Sequence, residues 1–249
     1  MTTVIELERL KQQAIADPRC EGAYLRALLS ATLYVHPPRS DDSGRLRFLT
    51  FTRPDGLTVI PAFSHVGAAR MAGGNAARVA STRERALFEG TRGAVLMLDA
   101  NEVGTTLYPE EIAALLDGGR AAPAPVALDC HEGFELLPAS GRDSWLLELL
   151  ASALQPVEAV ERVHLAAACS PAGTGEADRL VAIVAALRAH AERAARAVAV
   201  ALESTPRAPR LSLDLVTHDP GDAFPPELVG NVEQGWTREL RADEAYRRG

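Results

Sequence analysis

Lysine is almost absent from this chain of 249 residues. Among its 26 basic residues, Lys11 is the only lysine and the others are arginines. Together with the high alanine content, we interpret this bias as compositional drift. Acidic residues are in excess, and the net charge of −7 argues against a general binder of nucleic-acid phosphate backbones. We therefore expect no nucleic-acid partner.

Cysteine and long apolar runs are also scarce. The cysteines Cys20, Cys130 and Cys169 are few, odd in number and widely spaced, which excludes a disulfide framework and indicates a reducing compartment. No apolar run approaches the roughly 20 residues that a membrane-spanning helix needs. Charged side chains interrupt the first eleven positions, unlike a secretion signal. We expect a soluble cytoplasmic protein without a membrane partner.

Complete catalytic and metal-binding motifs are missing. The chain has no Cys-x-x-Cys, no His-Glu-x-x-His, no Gly-x-Ser-x-Gly and no phosphate-binding glycine loop. Cys130-His131-Glu132 is the only compact group of metal-ligating residue types, and it lacks further ligands at a recognisable spacing. We interpret it as a turn between two strands, and we expect no metal, no cofactor and no catalytic residue set.

One stretch organises the first half of the chain. Ala94 to Leu98 is an unbroken apolar run, which is typical of a central strand. A polar loop follows, in which Gly104 can take the positive φ of a sharp turn. Pro109 then suits the first position of a helix whose apolar face includes Ile112 and Leu116.

The rest of the first half alternates helices with strands. Thr3 can cap a first helix, and Asp17 a second one. A strand is predicted over 31–35, and a β-hairpin over 46–63 around the turn Arg53 to Gly56. Ser64 is predicted to cap a short helix ending at Gly73-Gly74, and Ser81 a helix over 82–89.

The second half follows a proline-containing linker at 121–125. Short strands are predicted over 126–128 and 134–137, then a helix over 145–154 and a strand over 160–169. Residues 179–187 fit a helix by their alanines or a strand by their β-branched residues, and we favour a strand paired in a hairpin. A helix over 188–202, a strand over 211–215 and a peripheral helix over 233–246 complete the prediction.

These elements predict an α+β fold of two small domains, each a mixed sheet flanked by helices. The first domain is predicted to span residues 1–122, and the second, with a C-terminal tail, residues 123–249.

Four pieces of the first half resemble the N-terminal domain family of SseB. They are Tyr24 to Leu29 with Leu33 to Val35, Phe48 to Thr52 with Pro54 to Gly56, Ile60 to Phe63, and the stretch Ala94 to Leu116. The second half resembles, in layout, the C-terminal domain that accompanies it. The family is named for enhanced serine sensitivity, and the resemblance implies no established catalytic residues.

The loop after the central strand is the best candidate for a ligand crevice, with Asp99, Asn101, Glu102 and Gly104 as candidate residues. Loops at the carboxyl ends of strands often line ligand sites. A functional interpretation makes Asp99 and Glu102 metal ligands or an acid/base pair. The interpretation we favour is that Asp99 and Asn101 bond the loop's own backbone N–H groups. The loop departs from the family pattern in having Asp99 for asparagine, no Pro-Gly pair, and Thr105 where lysine is common.

Trp236 and Tyr246 are candidate anchors for an unknown protein partner or for a second copy in a homodimer, because aromatic side chains dominate interface energies. The alternative, slightly favoured, is that they fold back onto their own domain.

Three functions follow from these observations. The first is a non-enzymatic cytoplasmic binding or regulatory module associated with serine sensitivity. The second is a hydrolase-type enzyme with Asp99, Glu102, His65 and His131 around one cleft. The third, which rests on the family label, is a chaperone or effector associated with type III secretion.

Overall fold

The structure is a computed structural model that describes residues 3–38, 47–74, 77–102, 104–118, 135–169, 175–186, 190–221 and 235–237. The chain divides into two compact units, Met1–Val126 and Ala127–Gly249. The predicted linker at 121–125 and the predicted strand at 126–128 lie outside the described residues.

Unit 1 begins with two helices and then builds a sheet. Its helices are α1 (Val4–Ala16), α2 (Glu21–Leu28), α3 (Val66–Gly73), α4 (Glu84–Gly90) and α5 (Pro109–Gly118), with a 3-10 turn at Pro18–Cys20. Its strands are β1 (Thr32–Val35), β2 (Phe51–Thr52), β3 (Thr58–Phe63), β4 (Ala80–Arg83), β5 (Leu96–Leu98) and β6 (Thr105–Leu107).

The sheet of unit 1 is mixed. Its strand order is β4-β1-β3-β5-β6, and β2 also pairs with β3. Strands β3 and β5 are parallel, and the other pairs are antiparallel. Alternate residues of β3 face opposite sides, as a strand requires. Ile60 and Ala62 join the core formed with α1, α2, α4 and α5, whereas Phe63 packs with α3.

Local signals in the sequence set several boundaries as predicted. The Thr3 hydroxyl accepts a hydrogen bond from the Glu6 N–H at 3.2 Å and starts α1. In the hairpin turn, Gly56 has φ +88° and its N–H donates to the Arg53 carbonyl at 2.9 Å. Gly74, with φ +65°, ends α3. Glycine takes these conformations without the steric cost that a Cβ brings.

Two predicted helix caps in unit 1 are wrong, and one strand is not anticipated by the sequence. His65, not Ser64, caps α3, since its Nδ1 accepts from the Ala68 N–H at 3.1 Å. Ser81 does not cap a helix but lies in β4, whose backbone pairs with β1, and α4 begins only at Glu84. Strand β6 was not predicted: it pairs back on β5 before α5 begins.

Unit 2 also consists of one sheet with helices packed against it. Its helices are α6 (Ser144–Leu154) and α7 (Ala191–Ser204), with a 3-10 turn at Gly141–Asp143. Its strands are β7 (Glu135–Pro138), β8 (Val160–Cys169), β9 (Arg179–Ala186), β10 (Ser212–His218) and β11 (Gly235–Thr237). Strands β9 and β10 are parallel, and the other pairs are antiparallel, so this sheet is also mixed.

Strand β8 is the centre of unit 2. One of its edges pairs with β9, which confirms the predicted hairpin and the strand interpretation of residues 179–186. Its other edge is shared, because β7 pairs with residues 166–169 and β11 with residues 162–164. The predicted helix over 233–246 is therefore wrong at Gly235–Thr237, where the backbone completes the exposed half of the β8 edge.

The α+β class predicted from the sequence is confirmed, with a helix-flanked mixed sheet in each unit. Within the described ranges, no helix combines the length and the apolar character needed to cross a membrane.

Glu84 is a buried carboxyl group at the start of α4. Its side chain is fully buried, and neither carboxyl oxygen has a hydrogen-bond partner among the described residues. Loss of water around the charged form raises the pKa of Glu84 to about 8, although the charge of Arg85 opposes this shift. The group is therefore largely protonated in the folded protein near neutral pH.

Replacing Glu84 by glutamine should make unit 1 less sensitive to pH. The pKa of Glu84 is raised from 4.5 to about 8 in the folded protein. The resulting contribution of Glu84 to the free energy of unfolding is therefore fully present below pH 4.5 and is lost as pH rises towards 8. The free energy of unfolding should fall by up to about 1.4 kcal/mol per pH unit across that window relative to Glu84→Gln. Urea unfolding followed by far-UV circular dichroism measures both proteins.

Glu89→Gln, on the exposed side of the same helix, is the matched control and should keep the wild-type slope. Equal slopes for the wild type and Glu84→Gln would show that Glu84 is ionised in the folded state.

Candidate functional site

The loop between β5 and β6 starts with a left-handed residue. Asp99 has φ +48°, and no other residue in the described ranges except glycine has a positive φ. Aspartate tolerates this conformation better than most side chains. The Asp99 N–H donates to the Ala62 carbonyl at 2.8 Å, and the Asp99 carbonyl accepts from the Glu102 N–H at 2.9 Å. The turn therefore directs the chain away from the sheet immediately after β5.

Gly104 closes this loop, but for a different reason from the one predicted. Its φ is not positive, so the prediction of a left-handed glycine is wrong. A Cβ at this position would lie 2.9 Å from Met97 Cε and 3.0 Å from the Leu98 carbonyl oxygen. The absence of a side chain lets the returning chain pass directly against β5.

The Asp99 carboxylate is buried and fully engaged. Only 1% of the side chain is exposed. Oδ1 accepts hydrogen bonds from the Ser64 N–H at 2.8 Å and from the Ser64 hydroxyl at 3.1 Å. Oδ2 accepts from Lys11 Nζ at 3.0 Å. Asp99 thus joins the end of β3 to helix α1: among the described residues its carboxylate bonds Ser64 and Lys11, and not, as predicted, the backbone N–H groups of its own loop.

The ammonium group of Lys11 lies between the two carboxylates of the loop. Its Nζ is 3.0 Å from Asp99 Oδ2 and 2.8 Å from Glu102 Oε2, and the side chain is 4% exposed. Burial lowers the pKa of Lys11, but the hydrogen bonds and charges of Glu102 and Asp99 outweigh burial and raise it above its usual value. Lys11 is therefore a fixed ammonium ion at neutral pH.

His65 and Glu102 form the accessible rim of this cluster. Their side chains are 43% and 38% exposed, and His65 Nε2 lies 3.9 Å from Glu102 Oε1. His65 Nδ1 accepts the capping hydrogen bond from Ala68, so the proton of the neutral ring is on Nε2. The rim therefore offers an N–H donor beside a carboxylate oxygen.

The structure brings together three of the four side chains of the predicted cleft: His65, Asp99 and Glu102. Asn101 is exposed on the turn. Among the described residues, no group of three His, Cys, Asp or Glu side chains is arranged to hold a metal. The ammonium of Lys11 occupies the position between Asp99 and Glu102 that a bound cation would need.

The remaining candidates belong to unit 2. His131, with its neighbours Cys130 and Glu132, lies outside the described residues, and so does Tyr246. The backbone of Trp236 is part of β11.

Sequence reasoning missed Lys11. We interpreted the scarcity of lysine as drift, yet the single lysine is the cation at the centre of this cluster. Two signals were present: Lys11 survives as lysine in an arginine-rich chain, and it follows the buried Leu7 by four residues on the same face of α1.

Residues 7–114 match the family model of the SseB protein N-terminal domain, so the predicted resemblance of this part of the chain to that family is confirmed. The matched range includes all the residues of the cluster around Asp99.

Two curated proteins are similar over a longer range. Protein SseB of Escherichia coli (strain K12) and Protein SseB of Shigella flexneri are each 25% identical to this chain over 167 residues. The similarity covers 64% of this chain and 65% of each relative, so it spans just under two thirds of their length and extends past unit 1. No solved structure matches the chain.

Lys11→Met should destabilise unit 1 because it leaves the buried Asp99 carboxylate without its cation. Breaking a buried pair from one side costs about 3–5 kcal/mol. The double variant Lys11→Met with Asp99→Asn should recover part of that loss, since the only carboxylate left without its cation is then Glu102, which is partly exposed to water. Urea unfolding followed by far-UV circular dichroism measures the three proteins.

Arg9→Met is the control on the same helix, and it should change stability by less than about 1 kcal/mol. Arg9 is exposed, and its side chain bonds Gln13 and no other described residue. A loss for Lys11→Met no larger than that for Arg9→Met would mean that the pair does not hold unit 1 together.

Proposed function

We propose that this is a cytoplasmic binding or regulatory module associated with serine sensitivity, and that unit 1 recognises its ligand or partner at the rim formed by His65 and Glu102. The observation that carries this proposal is the ammonium of Lys11 fixed between Asp99 and Glu102. The association with serine sensitivity comes from the family resemblance.

The protonation states in the cluster favour recognition over catalysis. A catalytic lysine must lose its proton, and the raised pKa of Lys11 opposes that. A general base must reach its substrate and take up a proton, but Asp99 is 1% exposed and the charge of Lys11 stabilises its deprotonated form. The Nδ1 lone pair of His65 is used by the cap of α3.

Two groups of the cluster keep unused hydrogen-bonding capacity at the surface. Glu102 uses Oε2 for Lys11, and its Oε1 accepts no hydrogen bond from any described residue, so it can accept one from a bound group. The Nε2–H of neutral His65 can donate. The three charged groups Lys11, Asp99 and Glu102 sum to −1, so the rim suits a partner group with a positive charge and hydrogen-bond donors, such as an ammonium.

The hydrolase alternative gains one observation, the proximity of His65 to Glu102. This alternative lacks an activated nucleophile. The Ser64 hydroxyl donates its hydrogen bond to Asp99, whose carboxylate is already paired with Lys11 and does not act as a general base. For the secretion alternative, the support is the family label.

The rim is tested by a double variant in the native host. His65→Asn keeps a good helix cap while removing the imidazole, and Glu102→Gln removes the charge. A host strain lacking the gene is complemented with the wild type, with this double variant or with Arg85→Gln/Glu89→Gln, a control that removes an exposed ion pair elsewhere in unit 1. Growth is measured with and without excess serine.

The double variant should behave like the strain lacking the gene, and the control like the wild type, with both variants folded by circular dichroism. Full complementation by the rim variant would refute recognition at His65 and Glu102. A growth response to serine that is the same with and without the gene would refute the proposed association.

A further inference from the structure

Unit 2 contains a cavity, open to solvent on one side and lined by exposed arginines, that none of the observations above explains. Its volume is about 410 Å³, and it is lined by Arg142, Asp143, Trp145, Arg207, Ala208 and Arg210. Arg142 and Asp143 come from the 3-10 turn before α6, and Trp145 lies in the first turn of α6. The other lining residues come from the segment that connects α7 to β10.

The charge of this cavity is opposite to that of the chain. Three arginines and one aspartate give a local charge of +2, against −7 for the whole protein. Neither Arg142 nor Arg210 makes an ion pair or a side-chain hydrogen bond with any described residue. Like charges around one cavity repel each other, and an anion in the cavity would relieve that repulsion.

One wall of the cavity is already ordered. The guanidinium of Arg207 lies over the Trp145 ring, 4.5 Å from its centroid, and donates to the Arg142 carbonyl at 3.3 Å. Trp145 is itself packed against the hydrophobic core of unit 2. These two contacts restrict the motion of the exposed Arg207 side chain, which lowers the entropic cost of binding.

We propose that this cavity binds a small phosphomonoester. The planar guanidinium fork matches phosphate oxygens in two parallel hydrogen bonds. A phosphomonoester carries about −1.5 to −2 charges at neutral pH, which balances the local charge of +2. The volume lies in the range of small-molecule sites. Asp143, whose carboxylate does not cap α6, can accept a hydrogen bond from a hydroxyl group of the same ligand.

The proposal is independent of the function assigned to unit 1, and it is tested by calorimetric titration of the full-length protein with glycerol 3-phosphate. Glycerol without phosphate and an oligoglutamate peptide are titrated in parallel. The variants are Arg142→Gln/Arg210→Gln in the cavity and Arg162→Gln as the control, an exposed arginine of β8 that does not line the cavity.

We expect saturable one-to-one binding of glycerol 3-phosphate with a dissociation constant of about 1 mM or tighter. The cavity variant should bind at least about tenfold more weakly, and Arg162→Gln should bind like the wild type. Ligand binding should also change the fluorescence of the wild type but not of Trp145→Phe.

Absence of saturable binding would overturn the proposal, as would equal binding by the wild type and the cavity variant. Binding of glycerol itself would show that the phosphate is not recognised. Tighter binding of the oligoglutamate peptide, lost in the cavity variant, would replace the phosphomonoester with an acidic protein segment.

Discussion

The architecture of unit 1 depends on one buried ion pair. Moving the Lys11 ammonium and the Asp99 carboxylate out of water costs several kcal/mol for each ion, and only close hydrogen-bonded geometry offsets that cost. Lys11 is paired with two carboxylates, and Asp99 also receives two hydrogen bonds from Ser64. One set of contacts therefore fixes helix α1, the end of β3 and the β5–β6 loop, which are far apart in the sequence.

The two acidic residues of the loop, Asp99 and Glu102, have different roles because they differ in exposure. Asp99 is buried, and its carboxylate holds the surrounding elements together. These contacts explain why Asp99, although it is not glycine, adopts a left-handed backbone conformation. Glu102 shares Lys11 but keeps one oxygen at the surface beside His65. Helix α1, through Lys11, and helix α3, which His65 caps, thus hold the rim in position. A recognition site needs such rigid positioning. Unit 2, in contrast, gathers three exposed arginines around an open cavity.

Features that depend on neighbours in the sequence could be predicted. The cap at Thr3, the turn at Gly56 and the end of α3 at Gly74 are local, and the matched runs on either side of residues 170–178 predicted the β8–β9 hairpin. Features that depend on distant partners could not. Ser64 has the residue type of a helix cap, but its hydroxyl donates to Asp99, which is distant in the sequence. Strand β11 forms by pairing with the part of the β8 edge that β7 does not cover. The acidic loop was predicted as the site, but its cation lies 88 residues away in Lys11.

The sole lysine makes the central claim directly measurable. In protein labelled with ¹⁵N-lysine, nuclear magnetic resonance detects a single Nζ signal, which reports the protonation and exchange of Lys11 alone. The buried ion pair predicts a slowly exchanging ammonium signal at neutral pH and a titration midpoint above the usual pKa of 10.5. A rapidly exchanging signal, or a pKa at or below 10.5, would show that Lys11 is not held between Asp99 and Glu102.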